Sequence, residues 1–408
     1  MKPDRPLLVT ICAAGVAAMI SYALWPVFLV QLGSEWALSN SDIGWISGAY
    51  FIGYVIATPL LVGLTDTVDA KWVFVGGCLA SLVGCLGFAL AAADFWTAAI
   101  SWSFVGAGLA GTYMPGLQIL NARLAPDQRI RAVPFYTSCF GIGTGASFLL
   151  MGFCLVHLNH VTAALIGAAG SVAAALAVIA LVRGKYPEPP DIRRHPLDLR
   201  PAFRKPEAMG YIAAYGAHTY ELFAYRGWSF ALFIFLGSQA EPALSVELIT
   251  ILVSLLTLTG MAASIIGAAF CVTYGRHRVI MVIGAVSAGF AVLSAVALGV
   301  SPIFAIGVLW LYNVCIMLDS GALTAGTVSA GDDHDRGALL AVHSMVGFGG
   351  GALGGPVIGY VLDMTGGETT INGWMWAVLA MGVGSAIVGA IQWRFWRRQG
   401  QVAGGPPA

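Results

Sequence analysis

The chain has 408 residues, 58% of them hydrophobic and only 10% charged, and its 20 Lys and Arg balance its 20 Asp and Glu. An ordinary soluble domain carries roughly 25% charged residues, so this composition excludes a soluble enzyme, and no nucleic-acid partner is expected. The chain reads as an integral membrane protein whose main neighbour is the lipid bilayer.

Apolar runs of about 20 residues, the length that crosses a bilayer, recur twelve times. They cover 7–32, 42–64, 72–93, 95–122, 133–157, 160–183, 207–238, 247–274, 278–299, 302–326, 338–363 and 371–394. The first outlasts a signal-peptide core and shows no small-x-small cleavage site before Tyr22 and Trp25, so it is expected to be retained. Tyr22, Trp25 and Pro26 predict an aromatic wall and a kink in that span. Asp42, at the outer end of span two, and His343, near the start of span eleven, are expected at the membrane interface. All seven cysteines fall within spans and lack paired metal-type spacing, which predicts small buried hydrophobes and neither metal nor cofactor.

Nineteen of the 20 Lys and Arg residues lie on one side of this span map; Arg226 is the exception. Loops such as GSEWALSNS, SQAEPALS and TGGETTIN contain none. The positive-inside rule then predicts a multi-pass protein of the inner (plasma) membrane with both termini cytoplasmic. The long polar segment from Gly184 to Ala208, rich in Pro and Arg, divides six spans from six. The expected organisation is an N-terminal six-helix bundle over 1–183, a cytoplasmic linker over 184–206, a C-terminal six-helix bundle over 207–396 and a tail over 397–408.

The halves repeat. A shift of 206 residues lays Gly141, Gly143 and Gly145 on Gly347, Gly349 and Gly351, Ser138 on Ser344, and DTVDAKW on VTYGRHR. The runs GIGTG and GFGGGALGGP allow close helix approach and are expected as sliding or hinge faces between the halves. A phosphate-cradling loop is the rival, but no strand precedes either run and no Lys-Ser or Lys-Thr follows.

Twelve spans in two repeated halves, a basic linker and TDTVDAK after span two together resemble the major facilitator superfamily, whose loop signature reads roughly G-x-L-A-D-R-x-G-R-K. The resemblance covers nearly the whole chain, although the motif is degenerate. Asp66 and Lys71 keep the acidic and basic positions, while Thr67, Asp69 and Ala70 replace Arg, Gly and Arg. In the second copy Gly275, Arg276 and Arg278 remain and Val272 has lost the acid. The resemblance implies an all-α fold of twelve transmembrane helices in two pseudo-symmetric bundles, with Asp66, Lys71, Arg276 and Arg278 as gating residues. Asp66 as a simple solvated loop acid is the other reading. Span five lacks the Gly-Pro pair typical of the superfamily's drug antiporters, and span four has Trp102 where many proton-coupled members place an arginine.

Span seven contains HTYELFAYRGW. At about 1.5 Å per residue from its cytoplasmic start, Glu221 lies roughly 20 Å along the helix, with Arg226 a little further. A charge at that depth costs at least about 2.5 kcal/mol unless it faces a cavity or a partner. Helical steps put His218, Glu221 and Tyr225 on one face with Tyr211, and set Glu221 about 140° from Arg226. The pair is not expected to neutralise itself on a straight helix, although Gly216 and Gly227 permit unwinding. Two readings stay open: these groups line a substrate path, or each pairs with another helix and holds the bundle together.

Asp319 in span ten, with Tyr113 of span four at the repeat-related position, is a second membrane-embedded acid. The expectation is a monomeric secondary transporter working by alternating access, its site drawn from spans one, four, seven and ten. No nucleotide-binding motif is present. Arg226 points to a small organic anion, because guanidinium fits carboxylate with two prongs. Tyr225, Tyr215, Tyr22 and Tyr113 are its expected neighbours, with Glu221, His218 and Asp319 as proton carriers. Export of cationic or amphipathic drugs is the alternative within the class, and a non-transporting receptor or scaffold is the alternative outside it.

Overall fold

In the computed structural model the described residues are 5–65, 67–185, 199–332 and 336–402, and among them all regular structure is helical. Seven helices precede the linker: α1 (Arg5–Ala18), α2 (Leu24–Glu35), α3 (Asn40–Leu64), α4 (Ala70–Leu90), α5 (Phe95–Arg123), α6 (Pro126–His157) and α7 (His160–Leu181). Eight follow: α8 (Arg200–Phe203), α9 (Pro206–Ser238), α10 (Val246–Tyr274), α11 (Arg276–Leu298), α12 (Pro302–Met317), α13 (Ser320–Ser329), α14 (Arg336–Thr365) and α15 (Ile371–Val402). Among the described residues nine helical stretches are long and apolar enough to cross a bilayer. The others of the twelve runs are α5, α9 and the first run, which is split between α1 and α2. Gly, Ser and Thr dilute the apolar character of α5, and His218, Glu221 and Arg226 that of α9.

The chain divides into two compact units. Unit one holds Met1–Leu38, Trp45–Pro196 and Ser245–Leu258; unit two holds Ser39–Gly44, Leu197–Leu244 and Thr259–Ala408. Within unit one, Ile11, Phe74, Ile119, Leu120, Tyr136 and Val178 bring α1, α4, α5, α6 and α7 to one apolar core. The backbones of α4 and α5 touch: a Cβ on Gly77 would stand 2.6 Å from the carbonyl carbon of Gly111, so a methyl there forces the helices apart. In unit two Tyr211, Cys271, Ile280, Leu323 and Val388 join α9, α10, α11, α13 and α15. The glycines of span eleven pack inside this unit. A Cβ on Gly354 would stand 2.6 Å from the Tyr220 carbonyl oxygen of α9, and one on Gly351 would stand 2.7 Å from the Phe223 ring. This face joins α14 to α9, and at its end the run meets α3, where a Cβ on Gly44 would overlap the Gly355 carbonyl oxygen; in span five, a Cβ on Gly145 would stand 3.0 Å from the Thr257 hydroxyl of α10.

Span one breaks at Met19–Ala23, before the expected kink at Pro26. A proline ring lacks the N–H and clashes with the carbonyl four residues earlier, which here is Tyr22, so the helix stops and restarts at Leu24. Ser147 of α6 satisfies the freed backbone: its Oγ accepts from the Ala23 N–H at 2.8 Å and donates to the Ile20 carbonyl at 2.5 Å. Ser147→Ala leaves both groups unpaired in a buried site, which costs about 1–3 kcal/mol per group. Thermal unfolding in detergent should show a lowered Tm, restored in part by Ser147→Thr; a Tm equal to wild type contradicts this role.

Span ten breaks between Met317 and Ser320. There the Gly321 N–H donates to the Ser264 hydroxyl of α10 at 3.1 Å, a bond directed outside its own helix.

Candidate functional site

The helix α9 begins at Pro206, where the missing N–H costs nothing, and continues without interruption to Ser238. The unwinding that Gly216 and Gly227 permit does not occur. Consequently Glu221 and Arg226 stay on different faces and find different partners. His218, Glu221 and Arg226 are 2%, 1% and 4% exposed, so each charge is held inside unit two and none is at a lipid or water surface.

Glu221 accepts two short hydrogen bonds: Tyr312 of α12 donates to Oε1 at 2.5 Å, and Ser385 of α15 donates to Oε2 at 2.5 Å. Tyr312 is steadied by Tyr225, which meets it edge-on with ring centroids 5.5 Å apart. The Tyr225 hydroxyl donates to the Leu309 carbonyl at 2.8 Å. The phenol expected to touch substrate thus has a backbone partner and positions Tyr312. Arg226 directs Nη2 to the Met317 thioether at 3.6 Å, beside the break in span ten. Asp319, in that break, has Oδ1 2.7 Å from Nδ1 of His218.

Tyr215 extends this polar line. It stacks on His218 with centroids 5.8 Å apart and on His343 with centroids 3.8 Å apart. His343 is buried and lies 3.1 Å from both the Thr324 and the Thr327 hydroxyls, through Nε2 and Nδ1 respectively. Within unit two, α13 supplies partners for both ring nitrogens. In unit one Tyr22 meets Tyr50 and Phe140 edge-on. Tyr113 stacks on Tyr136 and meets Phe140 edge-on beside a cavity lined by Gly15, Met19, Leu109 and Cys139.

Of the residues implied by the loop motif, Asp66 lies outside the described residues. The Nζ of Lys71 donates to the Ile179 carbonyl at 2.9 Å and the Val182 carbonyl at 2.5 Å, capping the C-terminus of α7. Arg276 donates to the Ser329 hydroxyl at 2.5 Å and ties α11 to α13, while Arg278 is exposed. The acid that organises the loop is Asp69, at the position where the family motif has Gly. It caps α4 through the Lys71 N–H at 3.1 Å, accepts from Arg123 Nη2 at 2.8 Å on both oxygens, and accepts from the Lys185 N–H at 2.6 Å.

Burial pushes the Asp69 carboxyl up, but the Arg123 guanidinium and the Lys185 and Lys71 N–H groups outweigh it and hold the group below the usual carboxylate range. The sign follows. A depressed folded-state pKa gives stability that is complete above the unfolded value near 3.9 and is lost as pH falls through the lower folded value. Asp69→Asn should therefore lower Tm at neutral pH by the loss of a buried pair, on the order of 3 kcal/mol. The gap between variant and wild type closes only in strong acid; a gap that is constant with pH contradicts this assignment.

Tyr312, Ser385, Met317 and the pairing of Asp69 with Arg123 are the features that inspection of the sequence did not single out. Only Asp69 carries a local signal, an acid directly before a helical run.

Comparison with known proteins places this geometry. Residues 10–331 match the sequence profile of the Major Facilitator Superfamily. A 139-residue stretch is 27% identical to the niacin transporter NiaP of Acinetobacter baylyi, spanning 34% of this chain and 31% of that relative's length. The crystal structure of the nucleoside transporter NupG superposes with a TM-score of 0.77 at 16% identity, over 95% of this chain and 99% of the other. A bacterial homolog of the human lysosomal transporter Spinster gives 0.75 at 16% identity, over 98% of each chain. At such identities these two likenesses concern the fold alone. The profile match extends through most of the 408 residues and ends beyond the Asp319 break, and on that ground the chain belongs to the Major Facilitator Superfamily of multi-pass membrane transporters.

Proposed function

We propose that the protein carries a small organic carboxylate by alternating access, in symport with protons, through twelve spans arranged as two pseudo-symmetric six-helix bundles over 1–183 and 207–396. One observation carries the coupling: Arg226, His218, Glu221 and Asp319 are all buried within one unit. With His218 protonated their charges sum to zero, which is the affordable state for groups removed from water. Entry of a monocarboxylate beside Arg226 adds one negative charge, and protonation of one acid cancels it. The stoichiometry is then one proton per monoanion. Tyr215 supplies aromatic surroundings within the same unit, Tyr225 acts through Tyr312, and Tyr22 and Tyr113 keep the substrate-binding role proposed for them from the sequence. Lys71, Arg276 and Arg278 belong to the cytoplasmic ends that open and close, with Asp66 assigned the same role from the family motif.

Names of relatives point to different cargoes, niacin for one and nucleosides for another, so the choice of class rests on the cluster. A cationic drug is less well served, because Tyr312 and Ser385 already bond Glu221 and His218 already faces Asp319. A thermal-shift panel on the purified monomer tests the class, with nicotinate, benzoate, lactate, uridine and tetraphenylphosphonium as probes. Stabilisation by carboxylates alone is expected; stabilisation by uridine or the phosphonium ion alone overturns the reading.

Both termini and the linker face the cytoplasm of the inner membrane in this proposal. Tags at Met1, near His195 and at Ala408 should resist a membrane-impermeant label in intact cells. Outside labelling of any one reverses the orientation.

A further inference from the structure

Two helices of unit two leave the bilayer side by side. With 32 residues, α15 is about 48 Å long at about 1.5 Å per residue, against a hydrocarbon core of about 30 Å. Counted about 20 residues from Ile371, the core ends near Ile391, and Trp393 with the residues after it stands at headgroup level. Its neighbour is α11: a Cβ on Gly284 would stand 2.8 Å from the Gly389 backbone nitrogen, and the His277 ring stacks on Phe395 with centroids 5.6 Å apart. Arg278 and Arg394, each next in sequence to that stacked pair, therefore lie at one level.

Helical steps divide the end of α15 into two faces. Gln392 and Phe395 point into unit two, Gln392 to Nδ1 of His277 at 2.6 Å and Phe395 against Gly210 of α9. Trp393, Arg394, Arg397 and Arg398 fall within about 140° of arc on the other side, and all four are exposed. The Arg397 guanidinium stands over the Trp393 ring, 4.9 Å from its centroid. Neither α11 nor α15 contains an Asp or Glu, and Glu207 of α9 is turned to Nε2 of His277 at 3.1 Å. Lys205 pairs with Asp332, but among the described residues Arg278, Arg394, Arg397 and Arg398 form no ion pair. Like charges three and four residues apart on a helix repel, so an anion on this face relieves a built-in strain. Below the arginines the same face turns apolar: Val383 and Ile387, 51% and 44% exposed, lie eleven and seven residues before Arg394 and share its side of the helix.

We propose that Trp393, Arg394, Arg397 and Arg398 of α15, with Arg278 of α11 beside them, form a binding site for the headgroup of an anionic phospholipid. Guanidinium groups meet a phosphodiester with paired N–H donors, an exposed indole suits the headgroup layer, and a basic cluster where spans leave the membrane is the pattern that recognises acidic lipids. The apolar stripe through Ile387 and Val383 receives an acyl chain directly beneath the arginines. A soluble anion uses the charges and leaves that stripe idle, which is why the occupant is assigned as a lipid.

The probe is phosphatidylglycerol in mixed detergent micelles, titrated into the purified full-length protein and counted by native mass spectrometry. Arg397→Gln should weaken its retention about fivefold, and the triple change Arg394→Gln, Arg397→Gln, Arg398→Gln about a hundredfold. Arg183→Gln removes an equal charge from unit one and should stay within about twofold of wild type, because a site reads local charge and not the net charge. Phosphatidylcholine should not compete, and neither sn-glycerol 3-phosphate nor polyglutamate should displace the lipid at matched charge. Wild-type retention in the triple variant, or an Arg183→Gln loss equal to that of Arg397→Gln, overturns the proposal. Displacement by glycerol phosphate assigns the face to a soluble phosphate, and displacement by polyglutamate to an acidic protein; either result overturns the lipid. Should the triple variant fail to fold, wild type labelled with a photoreactive phosphatidylglycerol decides: cross-links concentrated on the end of α15 and the start of α11 support the site, and cross-links spread evenly over the spans overturn it.

Discussion

Arg226→Ala should weaken carboxylate binding by roughly a hundredfold or more. A guanidinium that grips both carboxylate oxygens forms two charge-assisted hydrogen bonds, each contributing about 1.5 kcal/mol or more, and about 1.4 kcal/mol is a tenfold change in Kd. Expression and monodispersity should stay close to wild type, because Arg226 rests against the Met317 thioether beside a helix break, a place where a shortened side chain leaves space that water can fill. Arg226→Lys should recover little, since an ammonium cannot reproduce the planar fork. Isothermal titration with the strongest ligand of the carboxylate panel reads the effect. If Arg226→Ala fails to fold and a second change, Asp319→Asn, restores folding, Arg226 serves the bundle and the substrate role is refuted.

Glu221→Gln should abolish accumulation driven by a pH gradient while leaving exchange between equal pools within about twofold of wild type. The substitution keeps shape and removes the exchangeable proton. Tyr312 and Ser385 hydroxyls can rotate, so an amide in place of the carboxylate keeps both contacts. Exchange does not require the empty carrier to release and reload a proton, and a buried carboxyl that alternates between charged and neutral forms does. Equal loss of exchange and accumulation assigns Glu221 to structure. Unchanged accumulation moves the carrier role to Asp319 and His218, whose 2.7 Å separation makes them the other proton-holding pair of the unit.

The class of the molecule was legible from the outset because hydropathy is a sum over many residues, and the degenerate loop TDTVDAK together with the half-chain repeat pointed to the family that the profile match shows. Burial of His218, Glu221 and Arg226 was legible too, since position along an apolar run fixes depth. Their partners were not. Tyr312 and Ser385 stand 91 and 164 residues from Glu221, and neither residue type is unusual in a membrane helix. The partners of His343, Thr324 and Thr327, were not legible either, because they lie on a short helix that begins at the break in span ten. In span one the kink that Pro26 signals is present, and because the ring acts on the carbonyl a turn earlier, the break precedes the proline. The family motif drew attention to Asp66, whereas the described hub is Asp69, whose substitution for the motif glycine gives a helix cap and an arginine partner in one step.

The most direct measurement is uptake of radiolabelled nicotinate into proteoliposomes of the wild-type chain under an imposed pH gradient, with the membrane potential clamped to zero and then varied. Neutral compensation within the four-group cluster predicts accumulation that follows the pH gradient, one proton per substrate by pH-dye titration, and no response to the potential. Accumulation that tracks the membrane potential and ignores the pH gradient contradicts it.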